Sequence, residues 1–203
     1  MERINIAYVD DELDRGISAF LDDYSSNVKL AEIEIYEIMF TETDDYKTLL
    51  KKLTNKNINL LIIDSALFLI NDQRKKRFTG EEFKVILQRV FPYIKTIVIS
   101  QNEQKPLYDI ISKYNSNKNF PQGQSEYYSE VLEECINKKI NEILTEREIL
   151  KKLDEKDELN RELLEKMSLS LNGGDEYSEL ESSDIEELIQ TFKELKKAID
   201  EQK

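Results

Sequence analysis

The sequence predicts an α/β domain built on a parallel sheet and followed by a helical extension. Three observations carry that reading. Short β-branched apolar runs alternate with stretches of helical period, two of those runs end on acidic residues, and residues 126–171 are nearly continuous helix former without Gly or Pro. Strands alternating with helices of this kind imply right-handed βαβ units, the crossover that packs a helix back onto a twisted sheet.

Residues 3–9, RINIAYV, form a first strand that ends at Asp10, Asp11 and Glu12. Leu13, Ile17, Phe20, Leu21 and Tyr24 then recur at spacings of three and four, which predicts an amphipathic helix over 12–25. A second strand, EIEIYEIMF, alternates through Ile33 and Ile35 and shifts phase near Tyr36 to Phe40. Tyr46, Leu49, Leu50 and Leu53 make a helical face, and the strand over 58–63 delivers Asp64. A long polar loop holds Arg74, Lys75, Lys76 and Arg77, four positives read as a solvated segment. Thr79-Gly80 open a helix with Phe83, Ile86, Leu87, Val90 and Phe91 on one face, and KTIVIS at 95–100 is a fourth strand ending on Ser100. Residues 107–114 read as helical, and a short fifth strand is expected in SNKNFPQGQS, with Phe120 as its apolar anchor.

The boundaries that follow are 1–125 for the α/β domain, its last helix extending to about 144, and 126–203 for the tail. In the tail Ile136, Ile143, Leu150, Leu164 and Leu171 stand at multiples of seven, so one long helix runs to about 171 and, being too long for the outer layer of a small domain, leaves the globule. Gly173-Gly174 break it. Ser183-Asp184 precede a second helix over about 183–202, on which Ile185, Leu188, Phe192, Leu195 and Ile199 form an apolar seam. Two seams joined by a break describe a helical hairpin or two segments for dimerisation or docking.

Composition removes several functions. A net charge of −13 argues against a nucleic-acid binder, which needs clustered Lys and Arg, and favours a neutral or basic protein partner. The chain has no His, so Ser-His-Asp and Cys-His catalysis and histidine metal sites are excluded. A single cysteine, Cys135, fits a reduced, cytoplasmic location and reads as a small apolar helix residue. No apolar run approaches the length of a membrane span, and the first residues lack the order of a signal peptide.

The acids carry the functional question. In an open parallel sheet, functional groups collect outside the carboxyl ends of the strands, which brings Asp10, Asp11, Asp64 and Ser100 to one edge. Carboxylates crowded in this way raise one another's pKa and are best tolerated around a divalent cation; an oxygen-only set without His points to Mg²⁺. The simpler readings are that Asp10 and Asp11 cap the next helix and that Asp64 is a turn residue after a buried strand.

VDDE after the first strand, a lone Asp after the third, Gly-Glu-Glu-Phe opening the next helix and a hydroxyl after the fourth strand together resemble the receiver domain of bacterial response regulators, over roughly residues 1–140. The resemblance implies a flavodoxin-like (βα)5 fold with strand order 2-1-3-4-5. It implies Asp64 as the phosphoacceptor, Asp10 and Asp11 with Asp64 as the Mg²⁺ site, and Ser100 as the hydroxyl that contacts the phosphoryl group. Receivers also carry a Lys at the end of strand five; Lys118 in NKNFP is the first match and Lys113 the second.

What is implied, then, is a signalling protein rather than an enzyme. It takes a phosphoryl group from a histidine kinase or phosphotransfer protein and passes the signal through its helical tail to a protein partner or a second copy. A phosphoacceptor of this kind can also dephosphorylate itself. The alternative is a degenerate receiver, never phosphorylated, that serves as a constitutive scaffold.

Overall fold

The computed structural model describes residues 1–67, 79–101, 110–119, 122–155 and 161–172. Five strands form one parallel sheet in the order β2-β1-β3-β4-β5: β1 is Arg3–Asp10, β2 Glu32–Met39, β3 Leu60–Asp64, β4 Lys95–Ser100 and β5 Ile110–Ser112. The helices are α1 Arg15–Asn27, α2 Tyr46–Asn55, α3 Gly80–Val90, the short α4 Ser116–Asn119, α5 Gln124–Glu155 and α6 Arg161–Leu171. This is an α/β architecture with the expected strand order. The central strands are apolar on both faces because helices cover both.

Strand alternation divides the core in two. Ile4, Ile6 and Tyr8 of β1, Leu60 and Ile62 of β3, and Ile97 and Ile99 of β4 face a layer made by α1 and α5, whose Ile17, Phe20, Leu21, Tyr128, Leu132, Ile136 and Ile140 pack there. Ala7, Val9, Leu61, Ile63 and Val98 face α2 and α3 through Leu49, Leu53, Phe83 and Leu87. The phase shift in β2 follows from the same division: Ile33 and Ile35 pack on the first layer, Tyr36 and Ile38 on the second. A twisted edge strand meets one helical layer near its start and the other near its end, so neither face is apolar throughout.

Caps set the helix starts. Asp14 accepts the N–H groups of Gly16 and Ile17 at the start of α1, and capping boxes pair Asp45 with Thr48 and Thr79 with Glu82 at α2 and α3. The turn into β3 carries Asn57 at φ 49°, a left-handed conformation that Asn tolerates better than most residues.

Two expectations change. Residues 110–112 are the fifth strand, not part of a helix, and the segment expected to hold that strand begins instead with α4. The Ile110-Ile111 pair is β-branched, and it pairs with Val98 and Ile99 of β4, which overrides the helical spacing around it. The helical stretch over 126–171 is not one straight helix: α5 covers Gln124–Glu155 and α6 Arg161–Leu171, and the bond of Arg147 in α5 to the Leu171 carbonyl requires that α6 fold back along α5. The first half of that stretch stays on the globule. Tyr128, Leu132, Ile136, Ile140 and Ile143 form a stripe at spacings of three and four that packs against the sheet, so the first half of α5 is the last helix of the α/β layer.

The residues of the seven-residue repeat are buried within this one chain. Ile136 and Ile143 meet the sheet, while Leu150, Leu164 and Leu171 form a small cluster with Tyr93. Arg147 fastens α6 in place. Its guanidinium donates to the Leu171 carbonyl from Nε at 3.3 Å and Nη2 at 3.1 Å, and from Nη1 to the Arg3 carbonyl at 2.9 Å and to Glu2 at 3.2 Å. Asn59 Nδ2 adds a bond to the same Leu171 carbonyl at 3.4 Å, so the C-terminus of α6 sits at the amino-terminal edge of the sheet. The second tail helix, the Gly173-Gly174 break, Phe120 and the four positives Arg74 to Arg77 lie outside the described residues.

Candidate functional site

The register brings the acids together. Asp10 ends β1, Asp64 ends β3 opposite Ile99, and Ser100 follows as the last residue of β4, opposite Ser112. Asp10 and Asp64 are 1% and 3% exposed, so each is a carboxylate that must find a partner in the protein.

That partner is Lys113. Its amide donates to the Ser100 carbonyl at 2.7 Å as the first residue past β5, and its Nζ lies 2.8 Å from Asp64 Oδ1 and 3.0 Å from Asp10 Oδ2. Burial opposes a charge on Lys113, but the bonds to Asp64 and Asp10 outweigh it and raise the pKa of the ammonium above its ordinary value. Lys118, the first match expected from sequence, is an exposed residue of α4 and is not part of this cluster. Because β5 ends at Ser112, the lysine that follows it is Lys113, the second match expected from the sequence. The available signal was the β-branched pair Ile110-Ile111 immediately upstream.

The remaining contacts order the pair. Asp64 Oδ2 accepts the Ala66 N–H at 2.6 Å, so Asp64 also closes the turn that follows its strand. Asp10 Oδ2 accepts a second bond, from the Tyr8 hydroxyl at 2.9 Å, and that hydroxyl accepts the Asp14 N–H at 3.0 Å. Burial, followed by the nearby carboxylates, raises the Tyr8 pKa and keeps the phenol protonated. Helix capping falls to Asp14 and not to Asp10 or Asp11, which leaves the acidic pair for other work. Asp11 is exposed as a residue, yet desolvation of its carboxyl, then its contact with Asp10, then the charges of Asp10 and Asp64 raise its pKa.

Beside Asp64, the Ser65 hydroxyl donates to Glu81 at 2.7–2.8 Å, and Gly80 N–H donates to the Ser65 carbonyl at 2.9 Å. A Cβ on Gly80 would lie 2.6 Å from the Asp64 carbonyl oxygen, so this close approach of α3 to the end of β3 requires glycine. Ser100 is buried at the rim, its carbonyl bonded to Lys113.

These residues fit a divalent cation in part. Asp10 and Asp11 offer oxygen donors alone, and the anionic form of Asp11 is disfavoured where it stands, a cost that an adjacent cation removes. Among the described residues no three acidic or thiol side chains converge as a metal cage. Both Asp64 oxygens already have donors, in Lys113 and Ala66. Two carboxylates with retained waters are nevertheless a donor set that Mg²⁺ accepts. Among the described residues no helix is long and apolar enough to cross a membrane. No family model matches the chain, and no curated protein matches it.

Proposed function

We propose that this chain is a receiver-like phosphoacceptor in which Asp64 takes a phosphoryl group and the helical tail carries the response. The observation that carries this reading is Lys113, whose ammonium bridges Asp64 Oδ1 and Asp10 Oδ2 from the end of β5. An acid at the tip of β3, an acidic pair at the tip of β1 and a lysine joining them are the parts that phosphoryl transfer to a carboxylate needs.

The step is a displacement at phosphorus. An Asp64 oxygen attacks the phosphorus of a phosphohistidine on a partner kinase or phosphotransfer protein, the P–N bond breaks as the P–O bond forms, and the leaving nitrogen takes a proton. Mg²⁺, held by Asp10 and Asp11, would offset the charge on the phosphoryl oxygens. Lys113 exchanges its bond to Asp64 for one to an incoming phosphoryl oxygen, and Ser100 offers a hydroxyl from the neighbouring strand.

The route to the tail begins at the same lysine. On one side of it the Tyr127 hydroxyl donates to the Ser112 carbonyl at 2.9 Å, and on the other the Tyr114 N–H donates to the Tyr128 hydroxyl at 3.1 Å. Both tyrosines belong to α5, so displacement of Lys113 loads the helix that Arg147 ties to α6. The output is therefore a protein contact, with a partner or with a second copy.

The scaffold reading has one observation in its favour: the Lys113 ammonium by itself pairs with both buried carboxylates, as in a static ion cluster. Acetyl phosphate with Mg²⁺ separates the two. A working receiver gains a hydroxylamine-labile phosphoryl group that requires Mg²⁺ and is lost in Asp64→Asn and Lys113→Ala but kept in Lys118→Ala. Absence of labelling in the wild-type chain refutes the phosphoacceptor reading and supports the scaffold.

A further inference from the structure

Tyr8 is a large polar side chain at the centre of the sheet, with 0% exposure, and its core role requires only a ring. Its hydroxyl is placed differently from its neighbours' needs. The Asp14 N–H points at the phenolic oxygen from 3.0 Å, so that oxygen must accept there, and its single proton is left for Asp10 Oδ2 at 2.9 Å. The direction of this hydrogen bond is thus set twice, by the Asp14 N–H that occupies the phenolic oxygen and by the ionised carboxylate, which can only accept.

The consequence is an asymmetric Asp10. Oδ2 is taken by Tyr8 and by Lys113, whereas the described donor nearest Oδ1 is the Glu12 N–H at 3.5 Å, beyond good hydrogen-bonding distance. We propose that Tyr8 is a positioning residue for Asp10, locking Oδ2 so that Oδ1 is the oxygen presented to a divalent cation. This rests on the phosphoacceptor reading for its purpose, though not for its geometry. Tyr8 is a neutral donor, so it orients the carboxylate without adding a positive charge that would repel the cation, as a second lysine would. The same hydroxyl holds the Asp14 N–H, and Asp14 Oδ1 in turn accepts Gln124 Nε2 at 2.7 Å at the start of α5. Asp10 is therefore braced against α1 and α5 and not against its own strand alone. Outer partners of this kind change metal affinity by about 10–100-fold when removed.

The test uses the full chain and two readouts: MgCl₂ binding by calorimetry, and the Mg²⁺ midpoint of Asp64 labelling by acetyl phosphate. Tyr8→Phe, which keeps the ring, should weaken Mg²⁺ about tenfold in both readouts while labelling at saturating Mg²⁺ stays within about twofold of wild type. Tyr24→Phe removes another buried hydroxyl, one bonded to Asn137 Oδ1 at 2.7 Å and remote from the acids, and should leave Mg²⁺ binding unchanged. A Tyr8→Phe chain that folds and binds Mg²⁺ as the wild type does overturns the proposal, as does an equal loss in Tyr24→Phe. If the wild type binds Mg²⁺ but is not labelled, the phosphoacceptor reading fails and the calorimetric comparison still decides the role of Tyr8. A wild type that binds no Mg²⁺ overturns both.

Discussion

Replacing Lys113 by Met tests the site as an electrostatic unit, because Met nearly preserves the length of the side chain and removes only its charge. Asp10 and Asp64, at 1% and 3% exposure, would then face each other with no cation between them. Breaking a buried pair by removing one member typically costs about 3–5 kcal/mol. A second route sets a limit. The variant can protonate one carboxylate, and at pH 7 an Asp with an unperturbed pKa near 3.9 requires about 4 kcal/mol to do so. The expected loss at pH 7 is therefore about 4 kcal/mol, a large share of the roughly 5–15 kcal/mol that holds a domain together. Without Lys113 the folded-state pKa of one carboxylate rises above its unfolded value. The stability tied to its protonated form is then present at low pH and is lost as pH rises through that raised value. The gap between wild type and variant should shrink by up to about 1.4 kcal/mol per pH unit between about pH 7 and 5. Urea unfolding followed by circular dichroism at several pH values measures it. The double variant Lys113→Met/Asp64→Asn should recover part of the loss, since it leaves a single buried charge that Tyr8 still serves. A loss below about 1 kcal/mol, flat with pH, would show that Lys113 does not neutralise a buried acidic pair.

Two further outcomes follow from the fold. Asp44 accepts Lys52 Nζ at 2.7 Å and both the amide and the hydroxyl of Thr41 at 2.9 Å; burial pushes against its charge, but these donors prevail and hold it down to about 2, against 3.8 for the free group. A depressed pKa stabilises the fold above the unfolded value and loses that contribution as pH falls through the folded one. Asp44→Asn should thus cost about 1–2 kcal/mol at neutral pH, after allowance for the exposure of Lys52, and almost nothing near about pH 2. Arg147→Met should leave the Leu171 and Arg3 carbonyls short of a donor and release α6 from the sheet edge. Hydrogen exchange over 161–171 should speed up by about tenfold or more while β1 and β3 keep their protection, and uniform loss across both regions would show that α6 is not a separately held element.

Much of the α/β layer could be read from the chain. Asp64 closes a run whose apolar residues face helices on both sides, and Asp10 closes another, so their arrival at one edge follows from strand direction alone. The lysine did not follow in that way. Lys113 and Lys118 are five positions apart in a polar stretch, and choosing between them depends on where β5 lies. Local spacing around Ile110 favoured a helix, and only pairing with Val98 and Ile99 made that segment a strand. Arg147 was equally silent, since a basic residue in a charged helix gives no sign that it reaches the carbonyls of Arg3 and Leu171.

The division has a physical basis. Periodicity, caps and β-branched runs act between residues close in sequence, and they determined most element types, the parallel sense of the sheet and the edge at which Asp10, Asp11, Asp64 and Ser100 collect, while the strand order was what the receiver resemblance implied. Interactions between distant residues were settled by tertiary packing: the burial of two carboxylates, the ammonium that pairs them, the direction of the Tyr8 hydrogen bond and the folding back of α6. Those depend on which groups lose water together, and desolvation is a property of the assembled core, not of any one segment.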